Sequence, residues 1–144
     1  MNETLKPVYN LLSGKAKNIE ANIGSGSFVD VRDVAKMHLW AFENAAKSDG
    51  ERYIACKGFG PVQAAADILH EKYNDTKIGE RIVVGNPGEG YLGYNKETKT
   101  VDDVVYLPAK PQVSGKKAER VMGIKWISFK QSINDTADVL EALL

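Results

Sequence analysis

Apolar residues recur along this chain at two spacings, and their alternation outlines the elements. Leu5, Val8, Tyr9 and Leu12 fall on one helical stripe, with Thr4 as the expected cap, Pro7 tolerable in the first turn and Gly14 able to end it. Gly24-Ser25-Gly26-Ser27 reads as a turn. Residues 28–31 read as a short β-branched strand leading into a helix over 33–47, with Asp33 as the expected cap and Val34, Met37, His38, Ala41 and Ala45 on one face. Asp49-Gly50 breaks the pattern, and residues 52–57 read as a second strand. Gly58-Phe59-Gly60 reads as a turn into a helix with Pro61 in the favoured first position and Ala65, Ile68, Leu69 and Lys72 at helical spacing.

The second half is less regular. Residues 82–84 form a short strand candidate, and 85–99, with four glycines and a proline, read as a long loop. Residues 102–107 are expected to be extended, closed by Pro108 and Pro111. Ser114 opens a short basic helix that runs to Met122 and stops at Gly123. The last helix carries the clearest signal: Ser128 and Gln131 have capping-box spacing, and Ile133, Ala137, Leu140 and Leu144 share a face. Strands alternating with helices predict an α/β fold.

Composition narrows the function classes. The chain has 144 residues, 43% of them hydrophobic and 26% charged, which is ordinary for one globular unit. Lys and Arg balance Asp and Glu at 19 each, so no bulk field draws the chain to nucleic acid or to a lipid surface. No apolar run approaches the roughly 20 residues needed to span a bilayer. The first twelve residues do not read as a signal peptide, because Asn2, Glu3, Lys6 and Pro7 interrupt them. One cysteine, Cys56, excludes an internal disulfide and fits a reducing, cytoplasmic setting.

Several residues imitate catalytic patterns. A lysine one helical turn after a tyrosine can lower the phenol's pKa and equip it to protonate a reduced carbonyl. That spacing occurs at Tyr53/Lys57, Tyr73/Lys77 and Tyr106/Lys110. The first pair lies on a predicted strand, the second at a helix end, and the third spans Pro108, so none is expected to act. Gly58-Phe59-Gly60 lies between strand and helix as a dinucleotide-binding turn does, but Gln63 stands where the third glycine belongs. Asp33 is read as a cap, and Asp30 as strand-facing or a partner for Arg32. His38 and His70 lack companions at metal-ligand spacing. Cys56 is expected to be a small buried residue, and Lys116-Lys117 with Glu119-Arg120 a solvated helix face.

The residues Phe28-Val29-Asp30-Val31-Arg32-Asp33-Val34-Ala35-Lys36-Met37-His38-Leu39, followed by Gly50-Glu51-Arg52-Tyr53-Ile54 and a helix ending Ile68-Leu69, resemble the C-terminal portion of the extended short-chain dehydrogenase/reductases, the NAD-dependent epimerase/dehydratase type. The Pro87-Gly88 loop, the lysine-rich helix ending Met122-Gly123 and Ser132-Ile133-Asn134-Asp135-Thr136 are similar to the dihydroflavonol-reductase-like branch, which includes fungal methylglyoxal/3-methylbutanal reductases. Two features depart from it. Ser114-Gly115 replaces an aspartate, and the loop is lengthened by Tyr91-Leu92-Gly93-Tyr94.

The resemblance implies hydride transfer from NADPH to a small aldehyde or ketone. It also implies that residues 1–144 form one substrate-binding region, with edge strands of a Rossmann sheet and a small α/β subdomain. The family's glycine-rich loop and its Ser, Tyr and Lys lie upstream of the matched part, and the residues before Phe28 cannot supply them. No catalytic, cofactor or metal residue is therefore carried over. Tyr91 and Tyr94 are the candidate substrate-side residues. The implied partner is a nucleotide-binding half or an intact reductase.

Overall fold

The computed structural model describes residues 2–19, 27–106 and 113–144. Helix α1 (Lys6–Leu12) begins after Leu5, so Thr4 is not its cap. Strand β1 (Ser27–Phe28) leads to α2 (Val31–Glu43) and a single turn, α3 (Ala45–Ser48). Strand β2 (Gly58–Phe59) precedes α4 (Val62–Lys72), and a 3-10 turn occupies Gly79–Arg81. Strands β3 (Tyr91–Asn95) and β4 (Thr100–Tyr106) are followed by α5 (Lys116–Met122) and α6 (Phe129–Glu141).

Helix α4 is the centre. Gln63 through Leu69 are all buried, so this central part of α4 has no solvent face, and α1, α6 and β4 pack around it. Leu11, Leu12, Ile68, Leu69, Val101 and Leu140 are the largest fully excluded apolar side chains. Each such side chain contributes about 1.5–3 kcal/mol by leaving water. Ala64, Ala65 and Ala66 keep the helix slim enough for three neighbours to approach at once.

The two described sheets are antiparallel pairs. Ser27 opposes Phe59 and Phe28 opposes Gly58, so the predicted turn at 58–60 supplies a strand and the predicted strand at 28–31 shrinks to its first residue. Residues 52–57 form no strand among the described residues, although the Lys57 N–H donates to the Phe28 carbonyl at 2.8 Å. Residues 82–84 are not a strand either; Ile82 is buried and starts the loop.

The expected loop at 85–99 contains β3, which pairs with β4 in a hairpin. Asn95 makes its turn: its Oδ1 accepts the N–H groups of Glu97 and Thr98, and Lys99 takes φ 56°. Gly93, at φ 107°, sits in a register shift between Leu92 and Tyr94, where a side chain would be strained. The turn expected at 24–26 and the prolines at 108 and 111 lie outside the described residues.

Capping explains where the other helices start. Asp30, not Asp33, caps α2 by accepting from the Arg32 N–H, and the helix stops at Asn44, short of Lys47. Ser128 caps α6 as expected, accepting from the Gln131 N–H at 3.1 Å. Helix α5 starts at Lys116 after Gly115, with the Ser114 hydroxyl accepting from the Lys116 N–H.

Gly60 has a steric role. A Cβ there would lie 2.2 Å from Cε2 of Phe129, whose ring meets Phe28 edge-on at 4.9 Å. Gly60→Ala is expected to destabilise the fold by about 1–3 kcal/mol through overpacking, read as a lower urea midpoint.

Candidate functional site

Because α4 is buried all round, its two polar side chains must find partners inside the protein. Gln63 and Asp67 lie one turn apart, and the Gln63 Nε2 donates to Asp67 Oδ1 at 2.8 Å and is within 2.8 Å of the Val84 carbonyl. Gln63 Oε1 accepts the Asn86 N–H at 2.8 Å. Asp67 Oδ2 accepts the Gly88 N–H at 2.8 Å and the Tyr91 hydroxyl at 2.7 Å. The two side chains thus bind the loop at Val84, Asn86, Gly88 and Tyr91. Gly85 and Gly88 let it close: a Cβ at Gly85 would strike Gln63 at 2.3 Å, and one at Gly88 would meet Tyr94 at 2.9 Å.

Tyr91 and Tyr94 are brought to the same loop in different roles. Tyr91 is buried and its hydroxyl is committed to Asp67; burial first, then that hydrogen bond, push its pKa far above the ordinary phenol range. Tyr94 is half-buried against Gly88, and burial followed by the Asp67 charge raises it too. Sequence reasoning missed Asp67 and saw Gln63 only as an absent glycine. The available signal was a polar pair at i, i+4 inside an otherwise apolar helix.

A cleft of about 830 Å³ lies between α1, the start of α2 and α6. Phe28, Val62, Ala65, Phe129, Ile133 and Leu140 give it an apolar wall. Its charged edge is an ion network. Arg32 pairs with Asp30 through Nε and Nη2 at 2.9 and 2.8 Å, and with Asp135 through Nη1 at 2.7 Å. The Arg32 guanidinium holds the Asp30 carboxyl well below the usual carboxylate range. Arg32 is thus committed to two carboxylates at the edge of a cleft whose wall is apolar.

The imitations of catalysis resolve structurally. Tyr53 lies outside any helix, its ring edge-on to Trp40 at 5.9 Å. Tyr73 closes α4 and donates to Glu141 at 3.0 Å; burial first, then Glu141, push it up to about 12. The Tyr106 side chain and Lys110 lie outside the described residues. Gly58-Phe59-Gly60 is strand and Phe129 contact, and Gln63 holds the loop. Asp33, expected as a cap, is fully buried and joins distant segments: it accepts the Ile127 N–H at 2.7 Å and the Lys36 ammonium at 3.0 Å. His38 is exposed, not on the packed face of α2. Cys56 is buried as expected. On the solvated face of α5, Lys117 pairs with Glu51. Among the described residues no His/Cys/Asp/Glu group could hold a metal, and no helix is long and apolar enough to cross a membrane.

With Tyr91 donating, the Asp67 carboxylate has three side-chain or backbone donors. Tyr91→Phe removes one and is expected to cost about 1–3 kcal/mol. Tyr91 stays protonated in the fold at a pH where the unfolded chain ionises, so its contribution is complete below about pH 10 and is lost as pH rises beyond it. Stability measured against pH should fall on the alkaline side, and Tyr91→Phe should flatten that fall, leaving the shares of Tyr73 and Tyr94.

No protein-family model matches the chain. It is 32% identical over 140 residues to an uncharacterized oxidoreductase of Saccharomyces cerevisiae, covering 97% of this chain and 36% of that protein. It is 35% identical over 112 residues to the NADPH-dependent methylglyoxal reductase GRE2 of the same yeast, covering 78% of this chain and 28% of that one. The crystal structure of the yeast methylglyoxal/isovaleraldehyde reductase Gre2 with NADPH superposes with a TM-score of 0.64 at 29% identity, over 97% of this chain and 39% of that one. The chain therefore spans about a third of the length of the relatives it matches. It is an α/β homologue of the C-terminal part of the extended short-chain reductases, related to the yeast methylglyoxal reductases.

Proposed function

We propose that this chain is the substrate-binding portion of an NADPH-dependent reductase of small aldehydes or ketones. The observation that supports the reading is the correspondence of nearly the whole chain, in sequence and in fold, to one third of such a reductase. On this reading the loop held by Gln63 and Asp67 is the substrate-side loop. Tyr91 anchors it from within, and Tyr94 is the tyrosine nearer its surface. The chain acts in the cytoplasm, in keeping with the free thiol of Cys56.

The same reading makes the chain inactive alone. Its 144 residues contain no glycine-rich dinucleotide loop, and each of its Tyr-x-x-x-Lys spacings falls where a helical pair cannot form or outside the described residues. NADPH and the catalytic groups would then come from a nucleotide-binding portion. A second reading, a non-catalytic module that associates with an intact reductase, is favoured by the exposed apolar side chains of α2.

Fluorescence titration of the pure 144-residue chain with NADPH tests the proposal. No saturable binding is expected up to millimolar cofactor, and no methylglyoxal-dependent NADPH oxidation. Micromolar binding or turnover by the chain alone would overturn it.

A further inference from the structure

Two stretches of chain run side by side into the loop that Gln63 and Asp67 hold. At one end Gly14 lies against Arg81: a Cβ on Gly14 would be 3.2 Å from the Arg81 Cβ. At the other end a Cβ on Gly85 would be 2.4 Å from the Ile19 Cγ1. Along both stretches burial alternates. Ala16 and Ile82 are buried, while Lys15, Lys17, Arg81 and Val84 are exposed. The outer surface of the pair therefore carries three cations and then, at the loop, an apolar valine.

The ion pairs among the described residues all lie elsewhere, so none of these cations is neutralised by one. The Lys15 ammonium stands 5.0 Å over the Tyr9 ring, and Lys17 donates to the Gly14 carbonyl at 3.4 Å. Glu80, next to Arg81 in sequence, pairs with none of them, and Glu89 is taken by the Asn86 amide at 2.7 Å. Lysines just past a helix commonly serve its last carbonyls. Here backbone groups already do so: the N–H groups of Ser13, Gly14 and Ala16 donate to Tyr9, Leu11 and Asn10 at 2.9, 3.2 and 2.9 Å. Arg81 reaches the strip from a separate segment. The result is a local excess of positive potential beside the loop, in a chain whose charges otherwise balance.

We infer that this strip is an anion subsite of the substrate-side loop: the carbonyl compound that the chain takes carries a carboxylate or phosphate, held by Lys17 and Arg81. Lys15 adds to the field, and Val84 meets the apolar spacer between the anion and the carbonyl. The spacer is short. Lys17 stands two residues from the Ile19 contact with Gly85, at most about 7 Å along the chain, so a few carbon atoms reach from anion to loop. The inference rests on the proposed function and deepens it by naming the substrate class.

The test titrates the isotope-labelled full chain with levulinate, a ketone bearing a carboxylate, with its uncharged counterpart methyl propyl ketone, and with inorganic phosphate, following the backbone amides by NMR. Levulinate is expected to shift the amides of both Gly14–Lys17 and Val84–Gly88 saturably, and to bind at least about fivefold more tightly than the neutral ketone or phosphate. Added salt should weaken it. The double variant Lys17→Gln/Arg81→Gln should lose about fivefold or more, while Lys125→Gln, an exposed cation after α5, should bind as the unsubstituted chain does. The amide spectra verify that both variants fold, and the titration of the unsubstituted chain stands independently of them. Phosphate binding as tightly as levulinate would mean an adventitious ion only and would overturn the inference. Shifts confined to the strip, equal binding of the neutral ketone, or unchanged binding by the double variant would overturn it as well. Where both ketones shift the loop equally and the strip is silent, this inference fails alone; the proposed function fails on NADPH binding by the chain.

Discussion

A helix enclosed on every side cannot send its polar groups to water, and this constraint on α4 organises the structure. Gln63 and Asp67 sit within a run of buried residues whose apolar members pack against α1, α6 and β4. An unpaired carboxylate or amide there would cost several kcal/mol. The loop between Val84 and Tyr91 is where their partners come from: two backbone N–H groups, a carbonyl and a phenol. Satisfying the helix and shaping the loop are the same set of hydrogen bonds. A loop with three glycines would otherwise be entropically expensive to hold in one conformation, and β3 could not start reliably at Tyr91.

This coupling also decides how much of the molecule could be read from residue order. Period and cap chemistry made α6 legible, because Ser128 and the repeat Ile133, Ala137, Leu140 are local signals of one element. Helix α4 was legible from its period and from Pro61, which stands at the N-cap position rather than at the first helical position expected of it. The hairpin was not: Tyr91–Asn95 sits between glycines, and its strand character comes from pairing with Thr100–Tyr106 and from the Tyr91–Asp67 bond across 24 positions. Residues 52–57 show the reverse error. Their β-branched and aromatic composition predicts a strand, but a strand is defined by a partner. The family resemblance pointed to the loop containing Tyr91 and Tyr94, but not to the two α4 side chains that hold it.

The two aspartates that open α2 show how three positions separate a local role from a long-range one. Asp30 and Asp33 both suit a helix N-terminus, where the dipole favours negative charge. Asp30 takes the cap, and its carboxylate is also bound by Arg32, which carries on to Asp135 on α6. Asp33, one turn later, points inward and accepts the N–H of Ile127, 94 residues away, just before α6 begins. The pair therefore ties the start of α2 to α6 at two points, one at the edge of the cleft and one beneath it. Sequence spacing predicted that one of them would cap the helix; only packing could determine which.

Helices α4 and α2 are both rich in apolar residues around much of their circumference, yet only α4 has neighbours on all sides. A helix that is hydrophobic all round belongs in an interior. The elements that enclose Gln63–Leu69 of α4 all lie within the described chain, and the polar residues Gln63 and Asp67 have been recruited into that interior. Helix α2 meets α3 and α5 on one side and is anchored at its N-terminus by Asp30 and Asp33, which is enough to hold it in place. Its other side leaves Phe42 and Val31 in water, and the neighbouring residues 52–56 pair with no strand among the described residues. Nothing in the packing of α4 depends on that surface. The described residues are thus packed around α4, while along α2 the side that carries Val31 and Phe42 is left uncovered by them.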